Sequence, residues 1–377
     1  MCHRQKRQKS RRHATCVTGN QSVKAVCCCS DNSPDESYDN MEGNTTLYSV
    51  SAIEGKGLGC VAETKIRKGT LILKEIPCFH HDCGDSVDKE FFDDLFHGYG
   101  TLSAEQKEKY LSLSNCFSNG NVSHSSASKL NKLQIYLEEN PINLPVEEAR
   151  LVYQISHTNS FYNGVCLEMS KFNHSCIPNA EYFWNEDTKT RDLRAIKKIE
   201  KGAEITVNYM YIGTSIYTRD ERRNYLFENY NFHCNCIGCD LTEEELNTQD
   251  KMCQEYRTIV AHKEDQKRLK KLMNNFDTSS EVDDLKSLYK LAKDLKIVKH
   301  WIILQVIVEG FDAACQGYLT TALKTKRDSF KKNITSFANA GYCISFHVRG
   351  PEHSITKSWQ KRKEDPVGFF KSEHGNN

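Results

Sequence analysis

The sequence predicts an α+β protein in two parts. Short β-rich runs occupy residues 47–76 and 179–209, a helical pattern lies between them, and the chain beyond Asp240 has helical periodicity almost throughout. A length of 377 residues leaves room for two or three domains, and 38% hydrophobic content is enough to bury a core, which sets aside collagen-like and fully disordered readings.

The elements follow in order. Residues 1–30 hold seven Lys or Arg and no acid, and residues 31–42 hold five Asp or Glu and no base, so residues 1–42 are expected to form a disordered tail. The run KRQKSRR at Lys6 to Arg12 has the composition of a nuclear address, and equally of a solvated charge run. From Leu47, LYSVSAI and TLILKEI read as strands in antiparallel hairpins, joined by EGKGLG and by a turn at Arg67-Lys68-Gly69. Helix follows in FFDDLFHGYG, then behind Ser103, which with Gln106 makes a capping box, and again after Pro145 in EEARLVYQISHTNSF. Strand texture returns in NAEYFWN, RDLRAI and AEITVNY, the last two linked by the charged turn KKIEKG. Farther on, Leu285, Leu288, Ala292 and Leu295 share one helical face, and similar periodicity recurs to about residue 348. The last thirty residues, charged and punctuated by Gly and Pro, are expected to fray.

The most apolar segment starts at Trp301 and is broken by Gln305, Glu309 and Asp312, short of the roughly 18 apolar residues of a membrane span, so a soluble chain with no membrane partner is expected. The basic start has no apolar stretch after it and lacks the layout of a secretory signal, which points to a reducing, intracellular setting. There, seventeen unevenly spaced cysteines argue for free thiols and one metal site instead of a disulfide framework. Fifty-one basic against fifty acidic residues leave no global field to draw the chain onto nucleic acid.

The densest chemical signal is Cys234-x-Cys236-x-x-Cys239, three thiolates on a tight loop where a tetrahedral zinc needs a fourth ligand. His233, Cys253 and the distant Cys176 are candidates, and spacing does not choose among them.

The segments FNHSCIPNA, EITVNY and RRNYLFENYNFHCNCIGC, in that order, resemble a SET-domain lysine methyltransferase. The earlier EGKGLG and KGTLILKEIP are similar to the first motif of that family, so the resemblance spans about residues 43–240. The short CxCxxC spacing and the helical tail are closest to the SET and MYND subfamily. One departure stands out: Cys78-Phe-His-His-Asp-Cys83 offers two Cys and two His, where a MYND finger needs about twice as many ligands.

The resemblance implies a fold of small twisted β-sheets around a knot-like threading of NHSC and EITVNY, with a zinc-bound post-SET loop and an all-helical C-terminal domain. It divides the chain into a tail (1–42), a SET domain (43–213) with a helical insertion at about 78–158, a post-SET segment (214–240) and a helical domain (241–377). It implies that Cys176 completes a structural zinc site with Cys234, Cys236 and Cys239. It makes Lys56, Gly57, Asn159, Asn173, His174, Tyr209 and Phe232 contacts of S-adenosylmethionine, and it gives Tyr209 and Tyr230 catalytic places beside the acceptor lysine. The implied activity is protein-lysine N-methylation of a histone or another protein by a monomer in the nucleus or cytoplasm, with chromatin proteins as partners. The alternative is a SET scaffold with weak or no turnover that binds partners or regulates transcription.

Overall fold

The computed structural model describes residues 46–80, 88–118, 124–161, 164–210, 216–272 and 278–375. The tail expected over residues 1–42 lies outside them, as do His81, Asp82 and Cys83 of the small Cys/His cluster. The strands are β1 (Tyr48–Ile53), β2 (Gly57–Ala62), β3 (Leu71–Glu75), β4 (Ser160–Phe161), β5 (Gly164–Val165), β6 (Asn173–His174), β7 (Ala180–Asn185), β8 (Thr190–Ala195) and β9 (Glu204–Val207). They make one sheet of order β1-β2-β9-β6, a second of order β3-β8-β7, and the small β4-β5 pair.

β1 and β2 form the expected hairpin, whose tip needs Gly55 and Gly57 at φ of +71° and +74°. β3 departs from expectation: its partner is β8, with Leu71 opposite Arg194, and not the neighbouring β2. KKIEKG likewise carries the chain from one sheet to the other instead of folding β8 onto β9, and Ile66 bridges Ile199 along the way. Alternation marks a strand and its buried face, but partners are chosen by where those faces meet, here Cys60, Leu193, Ile205 and Val207 in one core.

The insertion holds α1 (Lys89–Gly100), capped by Asp88, α2 (Ala104–Leu111), with the Ser103–Gln106 capping box in place, α3 (His124–Glu139) and α4 (Val146–Asn159). α3 was not anticipated, because its polar start hides the stripe Leu130, Leu133 and Leu137 that packs on Phe92 and Tyr153.

The chain continues through α5 (Arg219–Tyr230), α6 (Glu243–Leu272), α7 (Ser279–Leu295), α8 (His300–Thr320), α9 (Lys324–Arg349), α10 (Ser354–Glu364) and α11 (Pro366–His374). By length and a mean hydropathy of 1.2, α8 would pass for a membrane-crossing helix, yet 61% of that window is buried inside the protein. The expected fraying of the last thirty residues is corrected: α10 and α11 bury Trp359 and Phe370 at 2% and 7% exposure. Trp359 lies flat against Gly341, where a Cβ would stand 2.4 Å from the ring, and the Arg362 guanidinium covers the ring at 4.9 Å. Gly and Pro punctuate instead of unravelling, since Pro366 sits in the first turn of α11 and Asp365 caps it by accepting from the Gly368 amide. This helical core is continuous with Cys176, Met210, Leu226, Cys234 and Cys239, so the cysteine-rich segment is held between the sheets and the helices.

Candidate functional site

The site is built where β6 crosses β9. The two pair in parallel, His174 opposite Val207, and this brings Tyr209, two residues beyond, against the histidine. The Tyr209 backbone amide donates to His174 Nδ1 at 3.0 Å, which leaves the imidazole proton on Nε2, 3.3 Å from Cys176 Sγ. Burial pushes His174 down to about 3, so the ring is neutral and this proton points at sulfur.

Three more aromatic rings close around this point. Tyr209 and Tyr230 have ring centroids 5.2 Å apart, Tyr209 and His174 5.4 Å, and Phe232 and His174 6.0 Å. The Tyr209 hydroxyl donates to the Phe172 carbonyl at 2.8 Å, and the Tyr230 hydroxyl donates to the Tyr209 carbonyl at 3.3 Å. Burial pushes both phenols well above their ordinary range, so they act as neutral donors and walls and not as bases. Tyr230 ends α5, and Asn231 caps the helix in the left-handed region at φ +57°, which turns the chain and brings Phe232 back onto His174.

A polar chain runs along the edge of the β1-β2 hairpin. Lys56 Nζ pairs with Glu204 Oε2 at 2.6 Å, while the Asn173 amide donates to Glu204 Oε1 and to the Leu58 carbonyl, each at 3.0 Å. Gly59 makes this approach feasible, because a Cβ there would lie 2.5 Å from Asn173 Nδ2. Asn159 stands apart at the end of α4, its amide nitrogen donating to the Ser114 and Ile155 carbonyls at 2.7 and 2.8 Å. Lys56, Asn173, His174, Tyr209, Tyr230 and Phe232 thus gather about the β6-β9 crossing, with Gly57 next to Lys56 at the hairpin tip, while the Asn159 backbone carbonyl accepts from Ser170 at 3.3 Å.

Cys176, Cys234, Cys236 and Cys239 place their sulfurs within 4.8 Å of one another, a set that could hold a metal ion. Cys176 and Cys239 stand 3.6 Å apart, near the ~3.8 Å edge of a tetrahedron with metal–sulfur bonds of about 2.3 Å. The other two candidates for the fourth ligand are engaged elsewhere: His233 stacks on Phe227 at 4.7 Å, and Cys253 lies against the Tyr217 carbonyl. Hydrogen bonds from Cys176 and Cys234 pull Cys236 and Cys239 down while Cys176 and Cys234 are themselves pushed up, so the four sulfurs share their protons unevenly. The buried Arg222 guanidinium, tied to the Gly238 and Tyr217 carbonyls at 2.7 Å, comes within 3.9 Å of Cys239 Sγ, where it would offset part of the negative charge of a thiolate set. The donor set therefore fits a thiolate-preferring ion.

The sequence reading missed Glu204 and Arg222. Glu204 opens the EITVNY motif, but its partner Lys56 is remote in sequence, so no spacing rule joins them. Arg222 had a usable signal, an arginine just ahead of a three-cysteine loop.

The family profile described as SET domain matches residues 57–210. A SET domain-containing protein of Acanthamoeba polyphaga mimivirus is 30% identical over 199 residues, covering 50% of this chain and 75% of that protein. The histone-lysine N-methyltransferase set5 of Schizosaccharomyces pombe is 26% identical over 202 residues, covering 54% of this chain and 53% of its own length, so the chain spans about half of that relative. The histone-lysine N-methyltransferase SMYD3 of Mus musculus is 36% identical over 84 residues, covering 22% of this chain and 18% of that protein.

Proposed function

Because the chain belongs to the SET-domain family, we propose that it is an S-adenosylmethionine-dependent protein-lysine N-methyltransferase acting on nuclear or cytoplasmic proteins, histones among them. The observation that carries this reading is the aromatic enclosure of Tyr209, Tyr230, Phe232 and neutral His174 at the β6-β9 crossing. S-adenosylmethionine, when bound, would supply the sulfonium methyl for an in-line displacement by the lysine amine. The chain's part is placement: Tyr209 and Tyr230 would line the path of the amine, and their faces would stabilise cationic nitrogen. A free lysine amine titrates near 10.4, and burial between rings favours the neutral, attacking form. Lys56 and Asn173 would meet the polar end of the methyl donor, with the Gly57 backbone close by. A zinc ion on the four thiolates would be structural, stapling the loop that carries Phe232 to the segment that carries His174.

A second reading, a SET scaffold without turnover, is favoured by one observation: Glu204 already occupies both Lys56 and Asn173, the groups a donor carboxylate would need. Calorimetric titration with S-adenosylmethionine, followed by transfer of labelled methyl groups to histones and cell extract, separates the two. Binding with transfer is expected. Binding with no transfer to any protein would favour the scaffold, and no binding at all would sink the proposal.

A further inference from the structure

A cleft of about 220 Å³ opens between the second sheet and the helical domain. Lys68 and Lys197 line it from the sheet side, and Lys293, Lys296 and Lys299 from the end of α7 and the link to α8. The carboxylate in its lining is Glu181, already engaged by His300 Nδ1 at 2.8 Å. Among the described residues none of the five amines makes an ion pair with a carboxylate, although the Lys299 charge helps to hold Glu181 ionised; Lys299 and Lys293 lie over the rings of Tyr182 and Tyr289 at 5.4 and 5.5 Å. Burial and then the neighbouring Lys296 charge pull the Lys197 amine down. Apolar floor residues such as Ile303 and Ile344 would give an extended peptide something to lie on.

The cleft borders the candidate site. Asn208 lines it and immediately precedes Tyr209, and Tyr182 lines it as well.

We propose that this cleft takes an acidic stretch of the acceptor protein, so that the lysine offered to Tyr209 is flanked by aspartate or glutamate. The inference rests on the methyltransferase reading for its acceptor lysine, but the charge preference can be measured by binding alone. Five amines that make no carboxylate ion pair among the described residues, beside one carboxylate already engaged by His300, favour an anionic chain and repel an arginine-rich one, and like-charge repulsion is a strong filter against wrong partners. An acidic peptide would add ion pairs that the free protein lacks.

The test uses the full chain and three fluorescein-labelled peptides of equal length with one central lysine, flanked by glutamate, by glutamine or by arginine. Fluorescence anisotropy should show the glutamate peptide binding tightest, by about tenfold over the glutamine peptide, which is about 1.4 kcal/mol, and losing that margin as salt is raised. The Lys197→Glu/Lys296→Glu variant should abolish or invert the order with its melting temperature unchanged. Should that variant misfold, the salt dependence of the wild type and the milder Lys296→Gln decide. Equal binding of all three peptides, tighter binding of the arginine peptide, or an order untouched by the variants would overturn the proposal. Inorganic polyphosphate binding tightly while the glutamate peptide binds no better than the glutamine one would also overturn it. If the binding order holds but no peptide accepts a methyl group, the docking proposal stands and the methyltransferase reading fails; if transfer occurs with a flat binding order, the reverse is true.

Discussion

The Tyr209 hydroxyl donates to the carbonyl of Phe172 at 2.8 Å, tying the end of the β9 segment to the residue just before β6. The same oxygen would face the acceptor amine, so one atom serves the threading and the chemistry. Tyr209→Phe keeps the ring but leaves the Phe172 carbonyl without this donor. The melting curve should report a loss of about 1 to 2 kcal/mol, while single-turnover methyl transfer falls about tenfold or more. Transfer at the wild-type rate would remove Tyr209 from the proposed mechanism.

Purified protein should carry about one zinc per chain by element analysis, held by Cys176, Cys234, Cys236 and Cys239. Cys236→Ser should release it and expose the segment around Phe232 to protease. Stoichiometric zinc in the Cys234, Cys236 and Cys239 triple serine variant would mean that the ion sits elsewhere.

Gly59→Ala probes the polar chain at the hairpin. The new methyl would fall 2.5 Å from Asn173 Nδ2 and 2.7 Å from Ile53 Cγ1, so the Asn173 amide has to leave Glu204 and Leu58. A stability loss of about 1 to 3 kcal/mol is expected, with weaker S-adenosylmethionine binding in calorimetry. Unchanged affinity would show that Asn173 is not a donor contact.

His157 makes stability depend on pH. Burial pushes its imidazole down to about 4 from an ordinary 6.5, so the unfolded chain takes up a proton that the folded chain refuses. Its contribution is complete above pH 6.5 and is lost as pH falls through 4, at most about 3 kcal/mol at 1.36 per pH unit. Urea midpoints measured between pH 7 and 4.5 should fall with acid, and less steeply in His157→Gln. Equal slopes in the two proteins would show that the ring takes up its proton as readily in the fold as in the unfolded chain.

Trp359→Ala should cost about 3 to 5 kcal/mol, because it empties the space over Gly341 and beside Phe311. A change under about 1 kcal/mol in urea unfolding would mean that α10 is loosely held.

Strands, caps and the helical C-terminal region were legible because each is a local pattern: alternation in β1, β3, β7 and β8, the Ser103–Gln106 box, the Leu285–Leu295 stripe. Partnership was not. β3 finds β8 and not β2, and the terminal helices dock through Trp359 and Phe370, large apolar residues set in a charged stretch. The same division holds at the candidate site. The three clustered cysteines announced themselves and the family resemblance named Cys176 as their fourth partner where spacing could not, but the Lys56–Glu204 pair and the approach of Arg222 depend on chain segments that only the fold brings near.

The strand pairing has a consequence for synthesis. Leu71 waits for Arg194 and Cys60 for Ile205, so when the first hairpin leaves the ribosome its permanent neighbours have not yet been made. Closing such distant partners is slow, and the open edges of β2 and β3 remain available for wrong pairings while the insertion helices, whose contacts are local, are free to fold. Chaperone dependence of soluble yield is thus expected to track the β2-β9 and β3-β8 seams more closely than the helical domain, and a slow refolding phase should report their closure.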